Sequence, residues 1–411
     1  MIHAISGRSP RPGFSGSPGR SPRSTREGLR AGVLIVGAAA SGTLGWSGAV
    51  LALPLAMAFP ALWAAAPKRW IAAAVSAAYF LAASRGLPQG VMIFYDTGIA
   101  LGGALWITAA TAFVAVHGLL WTDRSSWGRA ERFGLASVVM AVPPFGIVGW
   151  AHPLTAAGVL FPGWGWLGLA AAAAGMLALT TRLWPVAAVA LLGAWLWSAA
   201  SWAPPPTPAG WRGVDTTMGA ALGRAANLDQ HRALLGHVQD VAEAGSSVVI
   251  LPENALGLWT PTVSQLWKDA LRTTHVVVIA GAAVADRHGY DNVLVEIAAG
   301  QAQVLYYARM PVPVSMWQPW RSWFGEGSSA RAHLFANPIV TLQGRRIAPL
   351  ICYEQLLLWP VLQSMLHGPD LIVATGNGWW TAGTSVVGIQ RASVVAWARL
   401  FSTPLVMAFN I

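Results

Sequence analysis

The sequence is short of charge. Of its 411 residues only 10% are Asp, Glu, Lys or Arg, where an ordinary soluble domain carries about 25%. Cysteine is scarcer still, since Cys352 is the only one. It has no intrachain partner, so a disulfide-stapled scaffold is excluded, as is a zinc or iron–sulfur site built on several thiolates. No metal and no cofactor is expected. Lysine nearly vanishes from the second half, where Lys268 is the only one beyond residue 210. What the chain has in plenty is apolar surface: 55% hydrophobic residues and a mean hydropathy of +0.51. That excludes a chain disordered throughout and argues against a purely soluble protein.

The little charge there is sits unevenly. Residues 1–210 hold thirteen Lys and Arg against four Asp and Glu, a net +9; residues 211–411 hold thirteen against twelve, a net +1. The first half is basic and very apolar, and the second resembles an ordinary globular domain. The Pro-rich stretch 203–211 reads as the linker between a membrane domain, 31–202, and an α/β domain, 212–411. Residues 1–30 carry Ser, Pro, Gly and six arginines and read as a disordered basic tail. Phe14 is its only aromatic, too little to stack on bases, so the tail reads as topogenic and no nucleic acid is expected as a partner.

Seven apolar runs are candidate membrane helices: 32–51, 53–66, 70–84, 98–121, 133–150, 164–181 and 185–202. The second and third are short. With the tail in the cytoplasm, Lys68, Arg69, Arg124, Arg129, Arg132 and Arg182 all fall in inside loops. The outside loops, 85–97 and 151–163, hold only Arg85. Seven spans then deliver residues from about 210 onward to the outer face of a bacterial inner membrane, the periplasmic side. One span more or fewer would invert this. The spans carry almost no ionisable residue beyond His117, which weakens a transporter reading.

The second half alternates short apolar strands with amphipathic helices, the pattern of a layered α/β domain. Strands are expected at 214–218, 247–251, 275–280, 292–298, 303–308, 347–352, 371–375 and 405–410, and helices at 227–244, 263–272, 355–366 and 385–401. Three strand ends present polar groups. Leu251-Pro252-Glu253-Asn254 puts a carboxylate just past a buried strand. Ile351-Cys352-Tyr353-Glu354 puts the single thiol between strand and helix, where backbone N–H groups can lower a thiol pKa and hold an oxyanion. Gly376-Asn377-Gly378-Trp379-Trp380 follows a third strand. Each alone has a plain structural reading: a small buried thiol, a helix-terminal charge, core tryptophans. A carboxylate near a strand-end thiol can also serve as its base in acyl transfer, and the three occur together and in order.

These three motifs resemble the nitrilase superfamily of carbon–nitrogen hydrolases. Apolar runs in front of such a domain resemble its apolipoprotein N-acyltransferase branch, and within that branch the chain is most similar to the TraB-type conjugal transfer proteins of plasmids. The resemblance is close over residues 211–411 and loose over the membrane half. It implies a four-layer αββα sandwich, with Glu253 as general base, Cys352 as nucleophile forming a thioester, and Glu354 as a second carboxylate beside the thiol. The Tyr353 N–H would help hold the oxyanion, and Asn377 and Trp379 would line the pocket. It further implies a membrane lipid as partner, with a phospholipid acyl donor and an amine acceptor.

The chain departs from the family at the third catalytic position. The family lysine lies in a Tyr-x-Lys-x-x-x-Val-Pro context, and here that stretch is Tyr306-Tyr307-Ala308-Arg309-Met310-Pro311-Val312-Pro313. Ala308 falls where the lysine should be. Arg309 is the nearest cation and the candidate catalytic replacement, but one residue along a strand turns a side chain to the other face, so either Arg309 reaches in from a bulge or the triad is broken. The Phe-Gly-Glu that follows Val-Pro in the acyltransferases has a counterpart only later, at Phe324-Gly325-Glu326. The family also continues where this sequence ends, at Ile411. Two readings therefore stand: an amidase or N-acyltransferase working through Cys352, or a catalytically impaired nitrilase-fold protein that supports conjugation by binding a lipid or a protein.

Overall fold

A computed structural model describes residues 22–124, 126–219, 228–324 and 329–411. Most of the expected basic tail, residues 1–21, lies outside them. Residues 22–30 are helical and open α1 (Pro22–Gly45). Lys68 pairs with Glu27 at 3.1 Å and the Arg30 guanidinium donates to Ala65 O at 2.9 Å, which fixes this first stretch on its neighbours.

The apolar half continues as α2 (Ala58–Ala64), α3 (Arg69–Ala83), α4 (Leu87–Tyr95), α5 (Ile99–Leu120), α6 (Ser126–Ala141), α7 (Ala157–Leu160), α8 (Gly165–Ala178) and α9 (Trp184–Ala200). The seven apolar runs do not become seven membrane-length helices. Among the described residues two helices are long and apolar enough to cross a bilayer, Arg26–Gly45 and Ile99–Leu120. A third candidate is the pair α3 and α4, bent by 51°. The reasons are local. Run 53–66 starts as a 3-10 turn over Val50–Met57 with Pro54 inside it, so only seven residues of α-helix remain. Run 133–150 stops at Ala141 because Pro143 and Pro144 follow. The two expected outside loops are structured instead. Residues 87–95 form α4, with Pro88 in its first turn. In 153–160 a 3-10 turn leads into α7, and both are buried.

The second half supplies two sheets. Sheet one has the order β1 (Trp211–Gly213), β2 (Val248–Ile250), β3 (Val277–Asp286), β4 (Gly289–Ala298), β5 (Gln301–Tyr307); sheet two has β6 (Val340–Leu342), β7 (Arg345–Ile351), β8 (Leu371–Asn377), β9 (Leu405–Asn410). The strands β1, β2 and β3 run parallel, as do β7, β8 and β9, and β4, β5 and β6 pair antiparallel with their neighbours. Side chains alternate as a pleat requires. Val248, Ile250, Leu371 and Val373 fill the space between the sheets. Val249 turns outward to α10 (Leu228–Glu243) and α11 (Pro261–Ala270). Ile372 and Ala374 turn outward on the other side, toward α12 (Leu358–Leu366) and α13 (Val386–Phe401). This is the four-layer αββα arrangement. The expected strand at 214–218 moved: β1 lies just ahead of it. The Asp215 carboxylate accepts the Phe409 N–H at 2.9 Å and pairs with Arg391 at 2.6 Å, which draws the chain off sheet one toward the end of β9.

The two halves share one core. Ala348, Leu350, Trp397 and Leu400 pack in the same apolar cluster as Trp46, Phe59, Phe80 and Leu160. Helix α13 is therefore buried between sheet two and the apolar helices. The Pro-rich stretch is docked too, with Leu405 N–H donating to Pro206 O at 2.9 Å. Glycines allow the closest approach: a Cβ on Gly158 would fall on the Ala396 carbonyl oxygen, a backbone atom that cannot step aside. Gly158→Ala is expected to cost about 1–3 kcal/mol and lower the thermal midpoint in detergent. Gly193→Ala, where nothing lies within 4 Å, is expected to leave it unchanged or raise it.

Candidate active site

Glu253 and Cys352 come from different sheets and meet in one cavity. The chain leaves β2 through Leu251 and Pro252 and keeps to the edge of β3, with Leu251 N–H donating to Ile279 O and Leu256 N–H to Gly281 O, each at 2.9 Å. Gly281 is required here, because a Cβ on it would strike the backbone of Glu253 and Asn254. This brings the Glu253 side chain to the mouth of the sandwich. Cys352 is the first residue of a 3-10 turn, Cys352–Leu356, directly after β7, and has φ +49°. A non-glycine residue held there is strained, and such positions cluster at functional sites. The first N–H groups of the turn, that of Tyr353 among them, have no carbonyl within it to bond.

The pair is tightly tied. The Glu253 carboxylate accepts a hydrogen bond from Asn292 Nδ2 at 2.7 Å, and the Cys352 thiol and the Asn377 backbone N–H lie beside it and favour its charged form. Gln390, on α13, donates its Nε2 to Cys352 Sγ at 3.4 Å. Burial dominates the electrostatics. It pushes the Glu253 carboxyl up to about 7, against these three groups, and the nearby Glu354 adds to the rise. The Cys352 thiol is pushed well above its ordinary value, first by burial and then by the adjacent Glu253 carboxylate, while Gln390 and the Asn377 N–H oppose this. The lowering of the thiol expected at a helix start is thus reversed. The turn is five residues long, and its N–H groups are outweighed first by burial and then by the carboxylate beside the sulfur.

Glu253, Cys352, Tyr353, Asn377 and Trp379 all line a single cavity of about 1110 Å³. Its far wall is apolar and comes from the first half: Leu87, Val91 and Phe94 of α4, Leu105 and Ala109 of α5, and Trp150. Trp379 stacks on Phe94 at 6.0 Å between ring centroids, and Trp380 fits against Gly90, where a Cβ has no room. The Tyr353 hydroxyl donates to Ile147 O at 2.8 Å, tying the nucleophile turn to the apolar half.

Glu354 and Arg309 lie behind the cavity, not in it. Glu354 is fully buried and accepts from the Tyr306 hydroxyl at 2.9 Å, the Ile351 N–H at 2.8 Å, the Arg309 N–H at 2.5 Å and the Met310 N–H at 3.2 Å. Arg309 directs its guanidinium at Tyr306 OH, Pro360 O, Gln363 Oε1 and Pro349 O. As a replacement for the lysine it is misplaced: its guanidinium is taken up by Tyr306, Pro349 and Pro360, and it does not line the cavity. Glu326 lies outside the described residues. Sequence reasoning missed Asn292 and Gln390. The first sits inside an expected strand and the second inside an expected helix, and only the polar residue in an apolar stretch hinted at either.

A carbon–nitrogen hydrolase family model matches residues 81–399. The chain belongs to the carbon–nitrogen hydrolase family. The match crosses the Pro-rich stretch and takes in α4 and α5, in keeping with a cavity walled by both halves. Among relatives of this carbon–nitrogen hydrolase chain, the conjugal transfer protein TraB of Agrobacterium fabrum is 56% identical over 420 residues, the full length of both chains. The probable conjugal transfer protein TraB of Sinorhizobium fredii is 58% identical over 385 residues, 94% of this chain and 99% of that one. A solved structure of a nitrilase-superfamily amidase from Nesterenkonia AN1 aligns at 15% identity, with a TM-score of 0.35, covering 50% of this chain and 78% of the amidase.

Proposed function

We propose that the chain is a membrane-anchored acyl-transferring enzyme of the conjugal transfer type, acting as an amidase or N-acyltransferase through a Cys352 thioester. The observation that carries this reading is the carboxylate–thiol pair at the polar end of a large apolar cavity. Glu253 takes the proton from Sγ as sulfur bonds to the carbonyl carbon of an amide or ester. The leaving amine or alcohol departs with that proton, and a thioester remains. An amine or water then attacks the thioester, and Cys352 leaves and recovers its proton. Membrane anchoring is supported by α1 and α5, whose outer faces expose Val33, Val36, Leu44, Ile107 and Leu119. The seven apolar runs, taken as spans with the basic residues between them inside, give an inner-membrane protein with the α/β part on the periplasmic side, a placement that follows from the runs and not from the helix lengths. An acyl chain from a membrane phospholipid suits the apolar wall of α4 and α5, and a role in conjugal transfer follows the names of the relatives. To test it, the detergent-purified chain is mixed with phosphatidylethanolamine vesicles or a p-nitrophenyl acyl ester and examined by intact mass. An acyl adduct on Cys352 that hydroxylamine removes is expected. No adduct from either donor, on a thiol that still alkylates, would overturn the reading.

Ala308 favours a second reading, in which the fold serves conjugation as a lipid- or partner-binding factor without turnover. Conjugation frequency decides between them: Cys352→Ala is expected to lower it if catalysis matters and to leave it unchanged under the second reading.

A further inference from the structure

The family lysine position can be located in this fold to within one strand pair. In the β4–β5 ladder Val293 faces Tyr307 and Leu294 faces Tyr306. The next pair along is Asn292 with Ala308, and the Ala308 N–H donates to Asn292 O at 2.8 Å. Directly paired residues of an antiparallel ladder project to the same face. A lysine at 308 and the side chain of Asn292 would therefore stand side by side. That face is the one toward the site. Asn292 is opposite Ala283 on β3; Ala283 shares its face with Gly281, over which the Glu253 turn passes, and Ala308 packs in the cluster that includes Cys352.

No cation among the described residues takes the lysine's place. Arg309 is held behind the cavity by Tyr306, Pro349 and Pro360. Lys268 lies on α11, on the outer face of sheet one. Arg287 lines the cavity but bonds to His288. The side-chain donor that does reach Glu253 is Asn292 Nδ2, at 2.7 Å and buried.

We propose that Asn292 is the positioning residue that holds the Glu253 carboxylate against the Cys352 thiol, in the place the family gives to a lysine at position 308. The chain then works with a neutral amide where an ammonium would stand. An amide fixes the carboxylate's orientation and favours its ionised form, as any donor does, but adds no full positive charge. The assignment rests on the thioester reading for its purpose, though not for its measurement.

The single cysteine makes the test clean, because iodoacetamide alkylation followed by intact mass reports Cys352 alone. Alkylation rates of the full chain in detergent are measured from pH 5 to 10. Asn292→Leu removes the donor, and the limb set by Glu253 is expected to move up by about one pH unit. Asn292→Ser, too short to reach, is expected to move it likewise and serves if leucine disturbs the strand pair. Ala308→Lys placed on Asn292→Leu is expected to bring the limb back down. A limb that stays at the wild-type pH in both Asn292 variants, with the protein folded, overturns the assignment; a uniform loss of rate with no shift means a purely structural residue. An alkylation limb that moves in a chain that forms no acyl adduct leaves Asn292's role standing and sinks the thioester reading. An adduct with an unmoved limb does the reverse.

Discussion

Cys352→Ala is expected to abolish acyl transfer, a loss on the order of 10⁶ where a nucleophile is removed, and Glu253→Gln to slow it by about 10²–10⁴. The argument runs through the proton. Burial and the neighbouring carboxylate push the thiol well above its ordinary value, so almost none of it is thiolate at neutral pH. Sulfur becomes a nucleophile only if a base takes its proton as it attacks, and Glu253 is the base in contact. The same burial pushes the Glu253 carboxyl up to about 7. Its folded value is raised, so the acid form persists well above the ordinary carboxyl range and cannot accept a proton. Activity is therefore expected to fall about tenfold per pH unit below roughly 7 and to level off above it, whereas an unperturbed carboxylate would hold the plateau well into the acid range. A profile of kcat/KM from pH 5 to 9 with a short acyl ester checks this. Flat rates down to pH 5, or turnover surviving in Cys352→Ala, would remove the pair from the mechanism.

The position of Glu253, Cys352 and Asn377 at one cavity was more legible in the sequence than its surroundings were. Glu253, Cys352 and Asn377 each lie at or just past the end of a short, mostly apolar strand, and a strand end fixes where a side chain emerges whatever the rest of the domain does. The strand at 405–410 and the long helix before it were readable for the same reason. What the sequence hid is how the halves meet. A Pro-rich stretch after a charge break reads as a linker, yet 206–207 lies along the start of β9 and Leu160 shares a core with Leu350. Apolar runs look alike whether they face lipid or another helix, so run length could not tell α5, open along one side, from the buried turns at 153–160. That Ala308 and not Arg309 falls at the lysine position was readable. The cross-strand partner of Ala308 was not, since register between β4 and β5 is set by pairing and not by either strand alone.

Glu354 shows how a residue beside the nucleophile can belong to the scaffold. Its two oxygens take the Tyr306 hydroxyl and the N–H groups of Ile351, Arg309 and Met310, and no N–H from the cavity. Those donors come from β7, from β5 and from the segment just after it, so one carboxylate pins the nucleophile turn to both sheets. Tyr306 passes the charge on to the buried Arg309, whose guanidinium also binds the Pro349 and Pro360 carbonyls. Glu354→Ala would leave a buried cation without its counter-charge and four donors without an acceptor. The expected loss is about 3–5 kcal/mol, seen as a large fall in thermal midpoint or as failure to accumulate. Glu354→Gln separates this from a catalytic role. A glutamine keeps the shape but turns an NH₂ toward donors, so it too is expected to lower the midpoint, by about 1–3 kcal/mol. A carboxylate needed only for chemistry would tolerate its amide in a thermal melt and lose only rate. An unchanged midpoint in Glu354→Gln with activity gone would therefore move Glu354 from the scaffold into the reaction.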